Sequence, residues 1–441
     1  MVQVFRFVLL IVLVVQGYGL ADDWPQWLGP GRDSVWREKG VAEKFPADGL
    51  PVKWRTPIEL GYAGPAVVGN KVFVTDYVKS GGEVVNKPGG RTKLSGVERV
   101  LCLTADTGRI IWKHEYDCPY NVSYAGGPRC VPAVDSGKVY TFGAEGHLLC
   151  LNAMTGDVVW SKELNKEYNT ETPFWGYAAH PLVDGDVLYL VVGGEGSIAV
   201  ALNKDTGEEI WRALSCDSSG YCPPTMIQHG GVKQLLIWHP DALNSLNPKT
   251  GDVYWTEPLK PAYRMSVTAP RLDGDHLFVS GIGTVGALFK LDTNKPAAER
   301  VWTGTAKTAV YNCNSTPLLI DGVIYGSDCQ LGALVGAKIE DGERLWQTFE
   351  PTSGGDRRAS HGTAFLVRHE DRVFLFSETG DLILAGLSEA GYEEISRFHV
   401  LDPTNECFGR DVVWSHPAFA SRCVFARNDK EIVCVSLANG N

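Results

Sequence analysis

Eight segments of the 441-residue chain share one layout, and no other feature restricts the fold as tightly. Each segment opens on a short apolar stretch that usually holds a proline: Pro65, Pro132, Pro181, Pro224, Pro270, Pro317 and Pro417, with Ala364 in the seventh copy. Each closes on a tryptophan, at Trp54, Trp112, Trp160, Trp211, Trp255, Trp302 and Trp346, while the seventh copy ends in Ile395-Ser396-Arg397. A turn ending in Thr-Gly precedes the tryptophan. It is clearest in LCLTADTGRIIW (101–112), LCLNAMTGDVVW (149–160) and LNSLNPKTGDVYW (243–255). Alternating apolar residues mark half-buried strands, and the glycine supplies the positive φ the turn needs. Asp184-Gly185, Asp273-Gly274 and Asp321-Gly322 are tight hairpin signals within the same copies. Four short strands recurring every roughly 43 to 67 residues are the spacing of propeller blades.

Counting strands predicts a closed ring. The last copy has room for three strands, at about 414–420, 423–427 and 431–437, whereas Trp54 lies on a fourth-type strand with no preceding partners. Joining the two completes an eighth blade and removes open sheet edges. The expected fold is all-β: one eight-bladed propeller of four-stranded antiparallel blades over residues 50–441, closed by an N-terminal strand that completes the last blade.

The run ADTGRIIW (105–112) and its copies resemble the tryptophan-docking motif of the pyrroloquinoline-quinone (PQQ) repeat, or quinoprotein-type, propellers. In that family the glycine packs on a tryptophan ring and locks neighbouring blades. The resemblance carries this role to Gly108, Trp112, Gly156, Trp160, Gly207, Trp211, Gly251, Trp255, Gly342 and Trp346. Gly391 keeps the glycine in the seventh copy, and the fifth copy (292–302) is longer and lacks it.

The formal net charge is −11, with no basic stripe, which excludes a phosphate-backbone partner and so nucleic acid. Residues 1–21 read as a secretory signal peptide: Arg6, an apolar run from Phe7 to Val15, then Gly19-Leu20-Ala21. Residues 22–49 form a leader segment. No later stretch is long and apolar enough to span a bilayer. The chain is therefore expected to be exported, periplasmic or secreted, and monomeric.

Antiparallel order puts the inter-blade loops and the second-to-third-strand loops on one face. The long loops fall there: 77–98, 113–129, 161–176, 212–221, 303–312, 347–359 and 398–411. Binding sites concentrate on such loops when the scaffold is rigid. Near the channel mouth on that face stand Arg129, Trp175, Tyr177, His180, Arg264, Arg357, Arg358, His361, Arg410, Trp414 and His416. Arginine forks match planar anions and aromatics stack on them, so the cluster predicts a small anionic ligand or a protein partner. No metal site is assigned, because His180, His361 and His416 belong to separate blades.

There are 11 cysteines. Cys102, Cys150 and Cys434 occupy one third-strand position and read as small buried hydrophobes. The remaining eight suit disulfides, with Cys313–Cys329, Cys118–Cys130, Cys216–Cys222 and Cys407–Cys423 the pairings considered. Quinoprotein alcohol dehydrogenases place a disulfide of adjacent cysteines over PQQ and use an aspartate base with calcium. This sequence has no adjacent cysteine pair. Two readings follow. One is an exported, non-catalytic binding or scaffold propeller similar to the outer-membrane assembly-factor propellers. The other is a quinoprotein dehydrogenase with PQQ and calcium as cofactors. The catalytic residues of the second do not map onto this chain.

Overall fold

The computed structural model describes residues 22–355 and 358–439. The signal segment 1–21 and Arg357 lie outside the described residues. The described chain forms eight four-stranded antiparallel blades, as the repeat predicts. Blade one runs Ala66–Val68, Lys71–Gly81, Thr92–Thr104 and Ile110–Asp117, and blade seven runs Ala364–His369, Arg372–Ser377, Asp381–Ser388 and Gly391–His399. Blade eight is built from Ala418–Ala420, Cys423–Arg427 and Glu431–Ser436, and Val52–Pro57 supplies its outer strand. Trp54 pairs with Cys434 there, so strands from both ends of the propeller share one sheet.

The Thr-Gly turn does two things. In blade two, Asn152 Oδ1 accepts from the Met154 and Thr155 N–H groups at 2.8 and 3.2 Å, and Gly156 turns the chain at φ 79°. The register then slips between Val158 and Trp160, a bulge that twists the outer strand. As a result the Trp faces a small side chain on the third strand: Trp112 opposite Cys102, Trp160 opposite Cys150, Trp54 opposite Cys434. All three cysteines are fully buried, in line with their sequence reading.

Each of these tryptophans reaches the next blade. Trp54 Nε1 donates to Ala105 O (2.7 Å), Trp112 to Ala153 O (3.3 Å), Trp160 to Lys204 O (3.0 Å), Trp211 to Pro248 O (2.9 Å) and Trp302 to Ile339 O (2.9 Å). The acceptor always lies three residues before the turn glycine, and that glycine sits under the ring. Two junctions differ. Trp255 donates to Gln234 Oε1 of its own blade (3.0 Å), and Trp346 reaches Ser388 O (2.9 Å), with open space beside Gly391.

Residues 22–37 enter the central channel from the tight-turn face. Asp23 accepts from the Gly69 N–H in blade one's first turn (2.7 Å), and Trp24 bridges Val67. Trp27 and Leu28 are buried against Ala66, Val131 and Ala269 of three different blades. Arg32 forms the tip and donates to Pro181 O at 2.8 Å, while Arg271 donates back to Arg32 O at 3.0 Å. Burial pushes the Arg32 guanidinium down to about 10. The segment returns beside blade seven, where Trp36 N and Arg368 N exchange hydrogen bonds with Arg368 O and Ser34 O, each at 2.8 Å. The leader thus fills the channel on the side opposite the long loops.

Candidate functional site

The loop-rich face carries a cleft where the ring closes. Blade one's second and third strands project beyond the blade, and the loop between blades seven and eight forms its own hairpin, Asn405–Cys407 with Arg410–Val412. Asn86 at the tip of the projection donates to Asn405 Oδ1 and to Glu406 O (3.0 Å), tying the two lips together. Between them lies a cleft of about 560 Å³ lined by Leu60, Val84, Val85, Pro88, Phe408 and Asp429, among others. Glu83, Glu406 and Lys87 give it charged edges. Phe408 sits at positive φ (52°) and is 41% exposed. An aromatic at a strained turn and open to solvent is a feature of contact surfaces rather than of cores.

An aromatic line leads from the cleft toward the channel. Phe408 stacks on His361 at 5.0 Å, and Trp414 lies 6.3 Å from both Phe408 and Tyr124. Beneath it is Glu378, a carboxylate with 2% side-chain exposure. Arg410 Nε donates to its Oε1 (2.8 Å), while Trp414 Nε1 and the Thr363 N–H both donate to Oε2 (3.0 Å each). Burial raises the Glu378 carboxyl above its ordinary value, and these donors pull the other way. Burial, helped by the Arg410 charge, lowers the His361 imidazole. His361, Arg410 and Trp414 are therefore brought together around a residue the sequence reading did not single out.

The other predicted residues are dispersed. Arg129 donates to Gly127 O, to Ser123 O (2.9 Å) and to Tyr124 O (2.6 Å), and its guanidinium lies 5.4 Å from the Tyr62 ring centre. It braces its own loop. Trp175 packs edge-on against Tyr221, and the buried Tyr177 donates to Asn165 Oδ1 at 2.6 Å. Arg264 lies near blade four, apart from the other arginines, 3.3 Å from Cys216 Sγ and 4.0 Å from Asp217, and Arg358 is exposed. His180 and His416 sit deep in the channel. His180 Nδ1 accepts from the Val131 N–H (2.9 Å) and its ring stacks on Trp27 of the leader at 4.6 Å. Burial holds His180 well below the usual imidazole value, and His416 falls to about 4 for the same reason. Measured against a flat anionic group such as PQQ, this mouth does not fit. Arg129 and Arg410 point into carbonyls and Glu378, and Trp27 and Arg32 take up the channel centre.

The disulfide expectation is corrected: all 11 cysteines are free thiols. The even count of loop cysteines gave no information on direction. Cys118 faces His147 Nδ1 (3.7 Å) whereas Cys130 faces Tyr177 O (3.7 Å). Cys216 bonds Asp241, and Cys222 bonds Thr268 O. Cys407 turns to Asn405, and Cys423 to Ser421 O. Cys313 and Cys329 do share one small buried cluster with Ile282, as antiparallel neighbours should, but as thiols.

Glu378 had a faint sequence signal. Asp328 ends the second strand of its blade, Glu378 directly follows one, and Asp76 lies midway along blade one's longer second strand. Each accepts from a backbone N–H in the segment leading into the first strand (Glu59, Tyr311 and Thr363) and each pairs with an arginine (Arg99, Arg344 and Arg410). The repeated acid is a loop clamp, and in blade seven the clamp lies against the aromatic line. Phe408 and Asn86 had no comparable signal.

No curated protein sequence matches the chain. Among solved structures it is similar to BamB from Moraxella catarrhalis, at 15% identity, over 88% of this chain and 98% of that one, with a TM-score of 0.56. It is similar to the quinohemoprotein alcohol dehydrogenase from Comamonas testosteroni, at 13% identity over 95% and 81% of the two chains, with a TM-score of 0.58. It is also similar to the computationally designed Ika8 protein, at 10% identity over 88% and 100%, with a TM-score of 0.51. At these identities the likeness is one of fold, and a designed protein, a BamB and a dehydrogenase share it. The sequence model of the family described as outer membrane protein assembly factor BamB matches residues 96–348 and 240–441. These matches overlap and together take in well over half of the chain, so it belongs to that family of PQQ-like β-propellers.

Proposed function

We propose that this chain is an exported, monomeric, non-catalytic binding propeller that holds a protein segment on its loop-rich face. The observation that carries the reading is the cleft between the blade-one projection and the loop before blade eight, where Phe408 and Val85 are exposed beside backbone held by Asn86. An apolar floor with charged edges suits a peptide segment whose side chains alternate between the two. The arginines that would have favoured an anionic cofactor are engaged within the protein. The matched family is described as an outer-membrane assembly factor, which accords with export through residues 1–21.

The test uses cross-linking in cell envelopes with the full chain and with the double variant Phe408→Asp, Val85→Asp. Loss of a specific cross-linked partner in the variant, with an unchanged circular dichroism spectrum, is the expected result. A partner footprint on the Thr-Gly turn face, around Thr107, Thr155 and Thr250, would overturn the reading. So would alcohol-dependent dye reduction after incubation with PQQ and calcium.

A further inference from the structure

On the same face, a quarter-turn or more of the ring away from the cleft, three side chains of different chemistry converge. Cys216 lies in the loop that follows blade three's outer strand, and its backbone is pinned by a bridge to Gly194. His239 ends the second strand of blade four (Val232–His239), and Asp241 sits in the turn before the third (Ala242–Leu246). One ligand atom from each lies within 4.8 Å of the other two, and Cys216 Sγ is 3.1 Å from Asp241 Oδ2. We propose that Cys216, His239 and Asp241 form a binding site for a zinc-type divalent metal ion, with solvent as the fourth ligand.

The ligand set and spacing support this. Thiolate, imidazole and carboxylate are the three protein donors zinc takes, at about 2.3, 2.0–2.1 and 2.0–2.2 Å. Tetrahedral coordination at those lengths separates the donors by roughly 3.5 Å, so the observed cluster needs shifts of only a few tenths of an ångström to about one. His239 is buried, and without metal its Nδ1 accepts from the Asp241 N–H at 3.2 Å, so the neutral ring carries its proton on Nε2 and the metal would take the Nδ1 lone pair in place of that hydrogen bond. Binding would release the thiol proton to solvent, and the Sγ–H···Oδ2 hydrogen bond would give way to two bonds to the metal. Arg264 Nη2, 3.3 Å from Sγ, is placed to donate an N–H to the resulting thiolate. Tyr263 and Arg264 are consecutive residues at positive φ (56° and 60°), a strained backbone that folds Arg264 back over the cysteine. Lys260, 3.5 Å from Asp241 Oδ1, is mostly exposed and free to swing into solvent.

The experiment is titration of the full chain with Co²⁺, read by absorbance, followed by Zn²⁺ displacement and metal analysis after dialysis. One equivalent should bind with a thiolate-to-cobalt charge-transfer band that zinc abolishes. Cys216→Ser should remove the band, and Asp241→Asn or His239→Gln should weaken binding at least tenfold. Should His239→Gln fail to fold, the half-exposed Cys216 and Asp241 variants carry the test alone. Absence of stoichiometric binding, or a band that persists in Cys216→Ser, would refute the site. Neither result bears on the cleft at Phe408, which the envelope cross-linking tests separately.

Discussion

Gly156 lies flat against the indole of Trp112 in the preceding blade: a β-carbon on it would stand 2.6 Å from Trp112 Cε3. The same contact joins Gly108 to Trp54, Gly207 to Trp160 and Gly251 to Trp211. Overpacking a rigid aromatic costs about 1–3 kcal/mol, and positive φ adds roughly 1 kcal/mol more for a side chain with a β-carbon. Gly156→Ala should therefore lower stability to urea by about 2–4 kcal/mol. Gly386→Ala, with nothing within 4 Å of the added carbon, is the matched control and should leave the urea midpoint where it is.

The leader should be a structural part of the ring rather than a passive tail. Trp27 is 8% exposed and touches three blades through one small cluster. Trp27→Ala removes that wedge, and comparable truncations cost about 3–5 kcal/mol. Equilibrium unfolding of the variant should show this loss. A wild-type midpoint would mean the channel holds together without its plug.

Arg410 and Arg358 should separate cleanly. Arg410→Ala strands the Glu378 carboxylate, which has 2% exposure, and removing one partner of a buried pair costs roughly 3 kcal/mol. Arg358 is exposed, and its alanine variant should stay within about 0.5 kcal/mol of wild type. Thermal denaturation of both variants decides the matter. Equal melting temperatures would contradict the clamp assigned to Glu378.

The channel histidines make acid unfolding specific. A histidine whose pKa is depressed by folding stabilises the fold fully above its ordinary value near 6.5, and that contribution is lost as the pH falls toward the folded value. For His416 the window runs from 6.5 down to about 4, worth about 3 kcal/mol across it. Glu378, whose carboxyl is raised by burial, acts in the opposite sense, so the difference from a variant is the informative quantity. Stability of His416→Asn measured against wild type between pH 7 and 4 should show a shallower decline. Parallel curves would mean that His416 is not charged on unfolding.

The blades were legible because their signal is local. A Thr-Gly turn, a bulge and a tryptophan lie within about a dozen residues, and strand alternation repeats in every copy. The closure at Trp54 followed from counting, since a lone fourth strand needs partners. The face bearing the long loops followed from strand parity. The arginines of that face were visible as residues but not as contacts. Whether Arg129 meets a ligand or the carbonyls of Ser123 and Tyr124 depends on how one loop folds back on itself. Glu378 meets Arg410 across 32 residues, and Asn86 meets Asn405 across 319. No periodicity encodes such pairs.

By itself, then, the sequence determined the architecture: eight repeated sheets, the glycine and tryptophan that dock them, and small residues such as Cys102 and Cys150 at the third-strand position. These depend on backbone conformation and alternation over short stretches, where residue type alone sets the preference. Only the tertiary structure decided the rest. It turned the loop cysteines toward separate partners, drove Trp27 and Arg32 into the channel, and left Phe408 open at the rim of a cleft. Those outcomes depend on which distant loops share the space around the ring once it has closed. That is a matter of side-chain direction and burial, which spacing along a chain does not carry.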